Sequence, residues 1–113
     1  MYNINILNEE LNFYIVKLDV ERSKKTLKNY YTSNKLFIKY LTNNNITQID
    51  QNNILDILDI IEKYRHYLKH QRKNKVGTRK RYLREILQFL KTLGLKIKIE
   101  LPKTNYKNKK SNI

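Results

Sequence analysis

Residues 77–93 read GTRKRYLREILQFLKTL, and the fold depends on how this stretch is interpreted. At 100° per residue, Tyr82, Leu83, Ile86, Phe89, Leu90 and Leu93 fall within roughly 120° of one another, the width of a helical core stripe. Lys80, Arg81, Arg84, Gln88 and Lys91 lie away from that stripe, with no acid among them. Gly77-Thr78 supplies a break and a candidate N-cap, and Gly94 is placed to end the helix as its C′ residue. The pattern predicts a helix with a packed back and a cationic front, suited to phosphate or to a nucleic-acid groove.

The flanks are basic as well. QRKNKV at 71–76 reads as a polar loop into this helix. After Gly94, LKIKIEL alternates apolar and polar residues, which predicts an extended segment in place of a further short helix. Pro102 stops regular structure. Residues 104–113 form a basic tail expected to lack order when free, or to begin a linker, so the domain is expected to span residues 1–103.

Upstream, three more helices are expected. In residues 8–18, Leu11, Tyr14, Ile15 and Leu18 continue a spacing begun at Leu7, and Glu9 and Glu10 suit the positive end of a helix. Ser23 is a candidate N-cap for residues 24–41, and the run Asn43-Asn44-Asn45 closes that helix through one left-handed Asn. Its inward stripe is Leu27, Tyr30, Asn34, Phe37, Ile38 and Leu41. Lys24, Lys28, Tyr31, Lys35 and Lys39 share a second face about 80° wide. Residues 46–49 form a short extended connection. Asp50 fits an N-cap for residues 51–69, with Ile49 and Ile54 spaced as a hydrophobic staple. Ile54, Ile57, Leu58, Ile61, Tyr64 and Leu68 should point inward there. The expected fold class is all-α: a compact four-helix bundle, with a fifth short element left open.

Composition narrows the function. The 113-residue chain suits one domain, and it carries 24 Lys/Arg against 10 Asp/Glu. Residues 1–62 hold seven bases and eight acids, whereas residues 63–113 hold seventeen bases and two acids. An AT-rich genome would enrich Lys, Asn, Ile and Tyr, but codon bias does not sort charge along a chain. A polyanion partner is expected, with duplex DNA foremost. There is no cysteine, hence no disulfide or thiolate metal site. Neither a signal-peptide pattern nor a long apolar run occurs, so a membrane partner is not expected and the expected compartment is cytoplasmic.

Catalytic chemistry finds little support. Glu62, His66 and His70 share a helix side, but nothing completes a metal site. Asp56 and Asp59 sit where a helix start favours negative charge. Two isolated glycines cannot form a phosphate loop, and none of the nine tyrosines has an activating neighbour in sequence. No cofactor, metal ligand or catalytic residue is therefore assigned. The candidate DNA-binding residues are Ser23, Lys24, Lys28, Tyr31, Lys35 and Lys39 on one helix, with Thr78, Lys80, Arg81, Arg84, Gln88 and Lys91 on the other. Lysines would act as point charges on phosphates, while Arg81 and Arg84 could bind phosphate or guanine in a bidentate manner. Gln88 could pair with adenine if its helix enters a major groove. Ser23 and Thr78, with the free N–H groups of their helix starts, would anchor phosphates.

The order of these motifs resembles the N-terminal core-binding domain (SAM-like helical domain) of the tyrosine recombinase and phage integrase family. The resemblance runs from about Leu11 to Lys103. It includes S-x-x-T-L-x-x-Y at Ser23, Thr26, Leu27 and Tyr30, then F-x-x-Y-L at Phe37, Tyr40 and Leu41. ITQIDQNNILDIL resembles the family's lead into its third helix, and residues 78–93 resemble T-x-x-R-x-L-x-x-L-x-x-F-x-x-L with shifted apolar steps. Leu101-Pro102-Lys103 matches the family's closing Pro-Lys, while the usual Asn-Pro after the fourth helix is replaced by Leu95-Lys96-Ile97-Lys98-Ile99. The resemblance implies a four- or five-helix bundle whose second and fourth helices approach the major groove. It also implies a catalytic domain of the same parent chain and recombinase protomers as partners. The family's active-site residues belong to that other domain, so no tyrosine here, Tyr106 included, takes the nucleophile's role. On this expectation the chain is an excised domain or a truncated product. A helical module docking an acidic partner protein is the alternative, and a metal- or carboxylate-dependent nuclease a distant third.

Overall fold

The computed structural model describes residues 1–103; the expected basic tail, 104–113, lies outside the described residues. The elements run β1 (Tyr2–Asn3), α1 (Ile4–Leu18), α2 (Lys24–Asn43), β2 (Gln48–Ile49), α3 (Ile54–His66), a π-helical segment (Tyr67–Gln71) and α4 (Val76–Thr92). The architecture is all-α, a bundle of four helices, with a two-stranded antiparallel bridge pairing Tyr2 with Ile49 and Asn3 with Gln48. Residues 46–49 were expected to be extended, but their pairing with the chain start carries no sequence signal of its own.

Local chemistry moves three helix starts. Asn3, not a residue near Asn8, caps α1 by accepting from the Ile6 N–H at 2.8 Å. Glu9 and Glu10 therefore sit in the second turn, beyond the exposed N–H groups they were expected to complement. α3 is capped by Asn53, whose Oδ1 accepts from the Asp56 N–H at 3.1 Å. Asp50 instead accepts from the Asn52 N–H in a turn that precedes the helix. The expected staple does not form: Ile49 is buried, but Ile54 is 39% exposed. α4 begins at Val76 after Lys75, which places Gly77 and Thr78 inside the first turn and leaves Thr78 with no capping role.

Other boundaries follow their signals. Ser23 Oγ accepts from the Thr26 N–H at 3.3 Å to cap α2. The helix runs two residues beyond 41 before Asn45 takes φ 59°. At the end of α4, Gly94 has φ 84°, the Leu95 N–H donates to Leu90 O at 3.0 Å, and the Gly94 N–H donates to Lys91 O at 3.1 Å. These two bonds make a Schellman reversal. Residues 95–101 then run without regular structure. Leu95 is buried and Ile97, Ile99 and Leu101 pack against the core, while Lys96, Lys98 and Glu100 are exposed. The alternation holds, and no further helix forms.

The core takes Leu7 and Leu11 from α1, Phe37, Ile38 and Leu41 from α2, Ile57, Ile60 and Ile61 from α3, and Leu83, Ile86, Phe89 and Leu90 from α4. An aromatic seam joins α2 to α3: the Tyr64 ring lies 5.0 Å from both Phe37 and Tyr40, edge-on to each. Tyr40 also lies 4.9 Å from Tyr67. The π-helical segment, marked by the Arg72 N–H donating to Tyr67 O at 3.1 Å, keeps Leu68 buried while adding one residue to the turn.

The Tyr64 hydroxyl is buried and has no hydrogen-bond partner among the described residues. Burial pushes its pKa well above the ordinary tyrosine value, and burial raises Tyr14 and Tyr40 in the same direction. An acid whose folded pKa is raised stays protonated when folded but ionises when unfolded. Stability is therefore full below about pH 10 and falls as pH rises past the unfolded tyrosine pKa. Denaturant melts should show this loss above pH 10, and Tyr64→Phe should reduce it while leaving neutral-pH stability within about 1 kcal/mol of the parent. A large neutral-pH loss in Tyr64→Phe would mean that the hydroxyl has a partner.

Candidate nucleic-acid interface

The α2 arc forms as expected. Lys24, Lys28, Tyr31, Lys35 and Lys39 are all exposed along one side of the helix. Lys35 is less free than its neighbours: Nζ donates to Asn8 Oδ1 at 2.8 Å and lies 5.8 Å from the Tyr31 ring. It bridges α1 and α2 as well as adding charge. Lys35 and Lys39 border an open depression of about 460 Å³ with Leu36 and Ile38 in its wall.

The α4 arc is less uniform. Arg84, Gln88 and Lys91 are exposed, whereas Lys80 and Arg81 are half-buried. The Arg81 guanidinium packs 5.2 Å from the Tyr82 ring centre, and its Nε is buried without a partner among the described residues. Arg81 thus lies against an aromatic ring, where Arg84 stands exposed. Arg79, which was not among the candidates, donates from Nη1 to Asn74 O at 2.9 Å and holds the entry loop.

Two observations go beyond the sequence reading. First, Glu85 is 4% exposed and its Oε1 has no partner among the described residues. Opposing one face of α4 with another left this acid out, because it belongs to neither. It lies near Tyr14 of α1, whose ring is 5.4 Å from Phe89 and 6.3 Å from Tyr30. Burial, then Tyr30, raises the Tyr14 pKa; Glu85 adds to the rise and Arg22 opposes it. Second, the reversal at Gly94 brings Lys96 and Lys98 alongside Arg84 and Lys91. Together with Leu87, Gln88, Ile97 and Leu101 they line a groove of about 380 Å³. The K-I-K-I alternation was a readable signal for these two lysines; the direction in which the segment returns was not.

The helix starts differ in what they offer an anion. At Ser23 the side-chain oxygen is committed to the Thr26 N–H and shares a 3.0 Å hydrogen bond with Thr26 Oγ1, leaving the backbone N–H groups of the first turn as donors. Thr78 is half-buried within the first turn of α4 and does not cap it, so its hydroxyl is not committed to the helix start. Tyr14 packs against both Tyr30 of α2 and Phe89 of α4, so the basic helices are neighbours through one α1 residue.

His66 and His70 stack at 5.8 Å, and Glu62 pairs with Arg65 at 3.2 Å. No group of three metal-ligating side chains occurs among the described residues. Nor, among those residues, is any helix long and apolar enough to cross a membrane. Two of the three acids of α3 are engaged locally, Asp59 with Lys63 at 3.1 Å and Glu62 with Arg65. Comparison with known proteins finds no matching family model, no matching curated protein and no matching solved structure.

Glu85→Gln keeps the shape of the buried side chain and removes a carboxyl group whose Oε1 lacks a partner among the described residues. We expect the melting temperature at pH 7 to rise by a few degrees, about 1 kcal/mol. A fall would show that the carboxylate is paired in solution.

Proposed function

We propose that this chain is a DNA-binding module, a core-binding (SAM-like) domain of a tyrosine-type recombinase or integrase. In this reading it grips duplex DNA at a recombination site through the basic faces of α2 and α4. The observation that carries the reading is the pair of acid-free cationic arcs, exposed along α2 and at Arg84, Gln88 and Lys91 of α4, in a chain whose acids are concentrated before residue 63. The order of motifs over residues 11–103 supports it; the comparisons with known proteins supply no relative. Lys24, Lys28, Lys39, Lys80 and Lys91 would neutralise phosphates, with Lys35 doing so at the cost of its bond to Asn8. Arg81 and Arg84 would add bidentate contacts and Gln88 a base-edge contact, while Tyr31 would pack against the backbone. Strand cleavage belongs to a catalytic domain of the parent chain, and this module performs no covalent chemistry. Other recombinase protomers on the same DNA, and a cytoplasmic setting, follow from the same reading.

Salt titration of a mixed-sequence duplex by fluorescence anisotropy tests it. Neutralising four or five phosphates should weaken binding roughly 10²–10³-fold between about 50 and 200 mM salt. Arg81→Glu with Arg84→Glu should abolish measurable binding, whereas Lys63→Glu with Arg65→Glu, on α3, should change it less than about threefold. Binding that ignores salt, or equal losses from the two pairs, would refute the proposal. Capture of an acidic polypeptide without any duplex binding would point to the protein-docking alternative.

A further inference from the structure

The groove between α4 and residues 95–101 has a composition that separates it from the rest of the basic surface. Its rim carries Arg84 and Lys91 on the helix side and Lys96 and Lys98 on the returning segment, with Gln88 between them and no acid in the lining. Of the two acids adjacent in sequence to lining residues, Glu100 is engaged with Lys103 at 3.6 Å and Glu85 is buried. Below the rim, Leu87, Ile97 and Leu101 are half-buried and supply aliphatic surface. The site thus alternates charge outside with hydrocarbon inside, along two roughly linear rails.

We propose that this groove seats the sugar–phosphate backbone of one strand of the duplex, with Lys96 and Lys98 forming the second rail. The inference rests on the DNA-binding reading and adds to it two residues and a mode of contact. A nucleic-acid strand presents a thin, continuous line of negative charge with apolar sugar faces between the phosphates, which complements such a lining. Lys96 and Lys98 are two residues apart and both exposed, and both line the groove from the returning segment. On the helix rail, Arg84, Gln88 and Lys91 are separated by four and then three residues, so each step advances about one turn, roughly 5 Å. The reversal at Gly94 fixes the second rail against the first, so the strand meets charges whose positions are set before binding.

Lys96→Gln with Lys98→Gln tests the proposal. Both side chains are exposed, and unchanged circular dichroism confirms the fold. Losing two phosphate contacts should lower the slope of log affinity against log salt by about 1.8 and weaken duplex binding about tenfold or more at ~100 mM salt. Gln88→Glu, which places a carboxylate on the rim, should weaken binding more than about threefold. If the parent chain binds duplex with a steep salt slope and the double variant leaves that slope unchanged, the groove is not the strand's seat, while the DNA-binding reading stands. If the parent chain binds no duplex, both fall. Displacement of the duplex by polyglutamate, with the polyglutamate itself depending on Lys96 and Lys98 as strongly as the duplex does, would assign the groove to an acidic protein and overturn the proposal.

Discussion

Burial of the apolar back of α4 is the constraint on which the rest of this molecule depends. Leu83, Ile86, Phe89 and Leu90 are almost wholly removed from solvent. Each contributes roughly 1.5–3 kcal/mol on an area basis, an upper range because unfolded chains already bury some apolar surface. Once that stripe faces inward, helical geometry leaves Arg84, Gln88 and Lys91 no option but the outside. The same stripe ends at Leu93 and Leu95, both buried, which brings the chain through its reversal and back along the helix. The cationic front, the returning segment and the groove between them are consequences of one packing decision.

Much of this was legible in the sequence, because period, polarity and breakers agree over long stretches. The inward stripe of α4, the Ser23 cap, the left-handed residue in the Asn43–Asn45 run and the terminating role of Gly94 all follow from residue chemistry. The misjudged starts have two causes. α4 starts after Lys75, which makes no side-chain cap bond. Near α1 the cap is instead Asn3, upstream of the periodic segment, and near α3 the sequence offers two good caps, Asp50 and Asn53. Which one wins depends on tertiary contacts such as the β1–β2 bridge, which holds the start of α1 and is too short to leave a pattern. Glu85 was missed for a different reason: an acid on the boundary between two faces is assigned to solvent by default, and only packing against α1 decides otherwise.

The two basic helices differ in how firmly their charges are held. On α2 the lysines stand on flexible stems, with Lys35 tied to Asn8. On α4, the Arg81 guanidinium lies over the Tyr82 ring. Mobile lysines favour long-range attraction that is tolerant of register, while a stacked guanidinium favours a defined docking geometry. A surface that combines both could first collect and then align an extended polyanion, a division of labour between helices of one small bundle.

The hydroxyl of Tyr2 donates to the carbonyl of Leu93 at 2.9 Å, across 91 residues of chain. A carbonyl at the end of the last helix is thus satisfied by a side chain from the very start of the molecule. Closing so long a loop has an entropic cost that local contacts do not carry. The bond adds a tertiary tie to a reversal that its two backbone hydrogen bonds already close. Tyr2 and Asn3 therefore act at two places at once, holding the start of α1 through the cap and the β1–β2 bridge and latching the distal end of α4 through the tyrosine hydroxyl.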